Sequence, residues 1–429
     1  MTCITTCHTA AVTGVLRSAR LNAESTTSKE MKMTPNHSTV LVIGGGYAGV
    51  MAANRLKTRN DLTVKLINPR PEFVERIRLH QLAVADESTS RVALADYGTV
   101  LNAGVQLVVD SVERIDAAAH RVTLASGATL DYDYLVYAVG STGAVPDAVP
   151  GAAEFAYPLS EFEQATRLRE RLADLAAPAP IVVVGAGLTG IEAASEFAGA
   201  GRHVTLVSRV IGPSLSRAGR RSVLRQLAKV GVTLVDGDAA TVTAVGPDHV
   251  VLADGRRLLS AVTVWTAGFG VPGLAAASGL TTDDMGRLVT DETFTSVDDD
   301  RIAAAGDSAS PSRVPYRMSC QASLPMGALA ADTVLARMAG ETAAAVSVPM
   351  SAQCISIGRR GGTLQFQRRD DSPTGIHIGG RAGALIKEQV CRFTLKWLSG
   401  EAAEPGSYKS LKGPDRSALA ATPSAVPVR

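Results

Sequence analysis

One glycine pattern occurs twice in this chain. Val40 to Ala53 reads V-L-V-I-G-G-G-Y-A-G-V-M-A-A, and Ile181 to Glu196 reads I-V-V-V-G-A-G-L-T-G-I-E-A-A-S-E. Each is an apolar run leading into G-x-G-x-x-G, with an alanine four residues after the last glycine: Gly44, Gly46, Gly49 and Ala53, then Gly185, Gly187, Gly190 and Ala194. Such a run reads as a buried parallel strand, a tight turn and a helix. The first glycine permits the turn, the second lets the backbone approach a pyrophosphate, and the third lets the helix pack on the strand. The helix N-terminus then offers unpaired N–H groups and the positive end of its dipole to phosphates. With 40 glycines in the chain, one copy would carry little weight. Two copies, each in the order strand, turn, helix, indicate two dinucleotides.

The repeat extends beyond the glycines. Gly104–Gly140 and Gly231–Gly268 have the same layout: strand, hairpin turn at Gly127 or Gly255, then an apolar strand ending in glycine. Each follows a G-x-G-x-x-G unit, so a whole dinucleotide domain is duplicated. After Gly268, R-I-A-A-A-G-D at Arg301–Asp307 resumes the first copy. The expected fold class is α/β, with two Rossmann-like domains, the NAD(P) domain inserted in the FAD domain, and a small C-terminal α+β region. The expected boundaries are 37–146 with 269–345 for FAD, and 147–268 for NAD(P)H. Residues 346–398 are expected to hold a two-stranded hairpin and a helix over Ala382–Leu398. Residues 1–36 and 399–429 read as disordered tails. The first is alternatively upstream sequence before Met31 or Met33, or a transit peptide.

Composition excludes several classes. Net charge is +2 and only 4% of residues are aromatic, so neither a nucleic-acid surface nor a base-stacking platform is expected. The five cysteines (Cys3, Cys7, Cys320, Cys354, Cys391) form no C-x-x-C and read as ordinary thiols; no metal site is expected. No apolar run approaches the ~20 residues of a membrane span, and the cytoplasm is the default location.

The ordered motifs V-I-G-G-G-Y-A-G, Y-L-V-Y-A-V-G at 134–140, G-A-G-L-T-G-I-E at 185–192, V-W-T-A-G at 264–268 and A-A-A-G-D at 303–307 resemble the two-dinucleotide flavoproteins. Among these the chain is most similar to type II NADH dehydrogenases and their ferroptosis-suppressor and apoptosis-inducing-factor-like relatives. The resemblance implies FAD and NAD(P)H as cofactors and a quinone-like acceptor. Reductases of ferredoxin or rubredoxin, and slow redox-sensing flavoproteins, are the alternatives. It places Gly44, Gly46, Tyr47, Ala48 and Gly49 on the FAD pyrophosphate, Asn68 on its ribose and Val112 at its adenine. Ala138 and Gly140 close that domain, and Arg76 and His80 flank the flavin or lie on a solvated helix. Gly306 and Asp307 meet the ribityl chain. A helix starting near Leu324–Pro325 points at the pyrimidine ring. Gly185, Gly187, Leu188, Thr189, Gly190, Ala267 and Gly268 line the nicotinamide nucleotide. Glu192 faces the nicotinamide–flavin stack, or is an exposed first-turn acid. Gln321 and Lys387 match a quinone site, although Ser323 and Pro325 depart from A-Q-x-A-x-Q, and a surface role competes for Lys387. The redox C-x-x-x-x-C of the disulfide reductases is absent: the helix after the first glycines reads M-A-A-N-R-L-K.

Two further readings come from the residues. Ser208 stands where NAD-specific folds place an acid, and Arg209 follows, so a 2′-phosphate is the expected partner and NADPH the preferred donor. The C-terminal helix gathers Leu385, Ile386, Val390, Phe393, Leu395 and Leu398 largely on one side. That side is expected to pack on the protein or in a homodimer, with peripheral membrane contact as the alternative.

Overall fold

The structure, a computed structural model, describes residues 37–416 except residue 177. The apolar runs around the glycines become fully buried strands. In chain order the elements that position the site begin with β1 (Ser38–Ile43), α1 (Tyr47–Leu56), β2 (Leu62–Asn68), β3 (Val105–Val109) and β4 (Tyr134–Tyr137). Then come β5 (Ala156–Pro158), β6 (Pro180–Val184), α2 (Leu188–Gly199), β7 (His203–Val207), α3 (Arg217–Lys229), β8 (Thr233–Val235) and β9 (Val262–Trp265). Last are β10 (Ile302–Ala304), α4 (Cys320–Met338), β11 (Ala352–Ile357), β12 (Gly361–Gln367), β13 (Pro373–Gly379) and α5 (Gly380–Ala403).

Two parallel five-stranded sheets follow from the repeat. The first runs β10-β4-β1-β2-β3 and the second β5-β9-β6-β7-β8. Four adjacent strands match one for one between them. All strands of the second sheet lie in sequence between β4 and β10 of the first, so the second copy interrupts the first. Each sheet carries a three-stranded antiparallel flap, Val112–Asp116 to Thr129–Asp131 and Val242–Val245 to Arg257–Leu259.

α1 is buried along its whole length, because α4 covers the face that the sheet leaves. A Cβ on Gly327 of α4 would stand 2.2 Å from the Ala48 carbonyl oxygen, so only glycine lets the two helices touch there.

The structure corrects three expectations. The 353–380 region is a three-stranded antiparallel sheet, β11-β12-β13, rather than a hairpin. The helix expected over about Gln321–Met338 is α4, capped by the Ser319 hydroxyl, which accepts from the Ala322 N–H; the start near Leu324–Pro325 that the resemblance implies lies one turn too late. Leu324 is buried one turn in, at 1% exposure, so its side chain is a core group. Residues 400–416 are ordered: α5 runs to Ala403, and the buried Glu401 carboxylate accepts from the N–H groups of Gly406 and Tyr408. Arg416 is buried and paired with Glu292 at 3.0 Å. Expectations for residues 1–36 and 417–429, including Cys3 and Cys7, lie outside the described residues.

Candidate functional site

The two glycine turns are built alike. Gly44 and Gly185 have φ of +104° and +98°, which side-chain-bearing residues rarely adopt. A Cβ on Gly49 would lie 1.8 Å from the Gly44 carbonyl oxygen, and one on Gly190 would lie 1.9 Å from that of Gly185. Nothing lies within 4 Å of a Cβ built on Gly46 or Gly187. These two positions cap α1 and α2 without any side-chain bond. The backbone at both helix starts is thus left uncovered on that side, where a pyrophosphate could approach. The residues therefore fit two dinucleotides.

Around the first turn the chain closes a cavity of about 270 Å³ lined by Gly44, Asn68, Arg70, Arg76, Val112 and Ser141. Asn68 is already engaged. Its Oδ1 accepts from the Gly45 N–H at 3.0 Å and its Nδ2 donates to the Arg70 carbonyl at 2.8 Å. It shapes the turn and keeps one acceptor lone pair for a ribose. Arg76 donates through Nε and a terminal nitrogen to the Ser160 carbonyl at 3.0 and 2.7 Å. Ala138 packs its carbonyl against Gly44, and Gly140 turns with φ +73° beside Arg76.

Asp307 joins the strand end to α4. Its Oδ2 accepts from the Ser141 hydroxyl at 2.7 Å and its Oδ1 from the Ser319 N–H at 3.1 Å. Gly306 turns with φ +74° against Ala48. In the second copy, Ala267 abuts Gly185, and Gly268 has φ +96° in open space. Leu188 and Thr189 open α2, half-buried. Ser208 donates to the Val210 carbonyl at 3.1 Å, and Arg209 is 69% exposed beside Asp238 at 3.2 Å.

Behind these turns lies a buried charge pair. Glu192 sits one turn into α2 and is 7% exposed, so it is not an exposed first-turn acid. The Lys387 ammonium on α5 lies 3.0 Å from its Oε1, and the Lys387 side chain is 13% exposed, so the surface reading of Lys387 also fails. The same oxygen accepts from the Ser356 N–H at 2.9 Å and the Ser356 hydroxyl at 3.2 Å. His80 is buried beside them, not on a solvated helix; its Nδ1 is 3.8 Å from Glu192 and its Nε2 3.3 Å from the Ser356 hydroxyl. Burial works against the Glu192 charge, yet Lys387 and His80 hold the carboxyl below its usual range. Burial likewise opposes the Lys387 charge, and Glu192 raises it above the usual lysine value. The pair is ionised at neutral pH. His80 is pushed down to about 4, first by burial and then by Lys387, Arg359 and Arg78, against the pull of Glu192.

That depression has a pH signature. Above pH 6.5 His80 is neutral both folded and unfolded. Below it the unfolded chain takes up the proton first, so stability falls between about pH 6.5 and 4, by up to roughly 3 kcal/mol. Urea unfolding at pH 7, 5.5 and 4.5 should show this loss in the parent and a shallower one in His80→Gln. Parallel profiles would remove His80 from the acid limb.

Cys320, Cys354 and Cys391 converge on Lys387 from α4, β11 and α5. Burial raises all three thiols, the first two to about 11, against the pull of Lys387. They are protonated at neutral pH and are poor nucleophiles. Gln321 is half-buried, its amide held by the main chain of β11, at 2.7 Å to the Ala352 carbonyl and 3.1 Å from the Ser351 N–H. It does not join the Glu192 cluster. Ser356 had no signal in the sequence.

Residues 38–327 match the pyridine nucleotide-disulphide oxidoreductase family. The chain belongs to that family. Membership implies FAD and NAD(P)H binding and an oxidoreductase activity. An NADH dehydrogenase-like protein of Mycobacterium tuberculosis is 34% identical over 353 residues, covering 75% of this chain and 86% of that protein. The type II NADH:quinone oxidoreductase of the same organism is 28% identical over 349 residues, covering 71% and 74%. A ferredoxin–NAD(P)+ reductase of a Sphingomonas species is 25% identical over 403 residues, covering 86% and 93%. Among solved structures, the sulfide:quinone oxidoreductase of Aquifex aeolicus superposes with a TM-score of 0.71 at 19% identity, over 86% of this chain and 93% of that one. This family member lacks a cysteine on α1, where the disulfide reductases carry their pair.

Proposed function

We propose that this oxidoreductase passes electrons from NAD(P)H through FAD to a quinone-like small acceptor. The carrying observation is the buried Glu192–Lys387 pair, one turn behind the second glycine loop and joined to α5. Bound FAD supplies the group that accepts hydride from the nicotinamide and hands electrons on. The chain's own residues hold and neutralise. The N–H groups after Gly46 and Gly187 take the two pyrophosphates, and Asp307 with Ser141 and α4 fixes the ribityl side. Lys387 holds its proton at Nζ against the Glu192 charge, so the pair would bias an acceptor beside it electrostatically rather than trade protons with it.

The donor preference is proposed as NADPH. Arg209 and Asp238 form an exposed pair of little worth, so the guanidinium is free to turn to a 2′-phosphate. Acceptor access is proposed through a membrane surface. No helix among the described residues is long and apolar enough to cross a membrane. α5 buries its apolar side in part: Leu398 is buried, and Ile386, Val390 and Leu395 are half-buried. Gly383, Cys391, Thr394 and Leu398 face inward, while Leu385, Phe393 and Trp397 stay 69%, 41% and 44% exposed beside Arg392 and Lys396. An apolar stripe flanked by cations suits peripheral contact.

Steady-state turnover of the FAD-loaded protein tests the reading. Quinone should outpace ferredoxin as acceptor, and quinone carried in anionic vesicles should outpace the same quinone in Phe393→Ser. Arg209→Ala should weaken NADPH about tenfold, with NADH little changed. Turnover with ferredoxin alone would favour the carrier-reductase reading, as would equal effects on NADH and NADPH overturn the donor assignment.

A further inference from the structure

A second cavity lies at the far end of α2, away from Gly187. It measures about 670 Å³ and shares no lining residue with the nucleotide cavity around Gly44. Its walls come from the end of α2 (Glu196 to Ala200), the end of α3 (Gln226 to Val230), the β11–β12 turn (Ile357 to Gly361) and the start of α5. The turn is fastened to α2, because Gly358 donates its N–H to the Ser195 hydroxyl at 3.0 Å. Val84, Val230 and Ile357 give the cavity an apolar interior.

Two electrostatic features stand out. Lys229, Arg359, Arg360 and Arg381 are all exposed around it, and only Arg359 is ion-paired among the described residues. Its partner, Glu196, is 4% exposed. The Glu196 Oε2 accepts from Arg359 at 3.1 Å, whereas Oε1 is buried and accepts from nothing among the described residues. Glu196 lines a cavity large enough for a small molecule, but its Oε1 is closed off from it. Three unpaired cations beside the cavity would meet an anion, and the apolar wall would cover a flat ring.

We propose that this cavity binds a nucleoside phosphate, with its phosphate on Lys229, Arg360 and Arg381 and its base against Val84, Val230 and Ile357. The site goes beyond the electron-transfer reading and does not depend on it.

The test is calorimetric titration of the FAD-loaded protein saturated with NAD+, so that both dinucleotide sites are filled. AMP should bind saturably at one site. Adenosine, ribose 5-phosphate and inorganic phosphate should each bind at least tenfold more weakly, since each lacks part of the recognised pattern. Lys229→Ala/Arg360→Ala, at exposed positions, should weaken AMP at least tenfold and leave flavin content and NAD(P)H-dependent turnover unchanged. No AMP binding, binding that NAD+ competes away, binding equal to that of inorganic phosphate, or binding indifferent to the double substitution would each overturn the proposal.

Discussion

Glu192→Gln is expected to destabilise the protein by about 3–5 kcal/mol, the cost of breaking a buried ion pair by removing one partner. The Lys387 ammonium, 3.0 Å from Glu192 and on a side chain only 13% exposed, loses its counter-charge. Glutamine still accepts from the Ser356 N–H and hydroxyl, so that anchor survives and the loss reflects the stranded charge. Replacing both partners, Glu192→Gln with Lys387→Met, should recover much of the loss, because no unpaired charge remains. The measurement is the urea midpoint of the two singles and the double. A Glu192→Gln midpoint within about 1 kcal/mol of the parent, as for an exposed acid, would mean the pair is not buried.

Glu401→Ala should cost a comparable 3–5 kcal/mol. Glu401 is fully buried. Its carboxylate takes the Arg55 Nε–H from α1 and the N–H groups of Gly406 and Tyr408 at 2.8 and 2.6 Å. Alanine strands two backbone donors and half of the Arg55 pairing. Arg55 keeps only Asp332 at 3.2 Å and the Tyr408 carbonyl. The chain after α5 should then come loose. Hydrogen exchange at Gly406 and Tyr408 would speed up sharply, while amides in β1 would change only as far as global stability does. Unaltered protection at those two amides would show that Glu401 does not order this segment.

The parts of the fold that could be read from the sequence are those with local causes. Each glycine turn needs a positive φ and a close helix, so Gly44 and Gly49, or Gly185 and Gly190, mark it within a few residues. The duplication then gave both sheets. The hairpin reading of 353–380 takes 354–367 as one strand, because its apolar residues run on past Gly358, which turns the chain with φ +59°; the second strand of that hairpin is β13. Residues 400–416 look polar and loosely composed. Their order depends on one acid, Glu401, meeting Arg55 from the other end of the chain, and no local pattern carries such a pairing. The Glu192 cluster failed for the same reason. Glu192 and Lys387 were picked singly by resemblance, but their burial depends on four segments, at 80, 192, 356 and 387, that only the tertiary fold brings together.

The central claim is electron flow from NAD(P)H through bound FAD to a quinone. Anaerobic stopped-flow mixing of the FAD-loaded protein with NADPH or NADH, then with a soluble quinone, tests it directly. The expected result is loss of the flavin's visible absorbance with either nucleotide, faster at low concentration with NADPH, and its full return on adding quinone. A flavin that NAD(P)H does not bleach, or one that quinone leaves reduced while ferredoxin reoxidises it, would contradict the account.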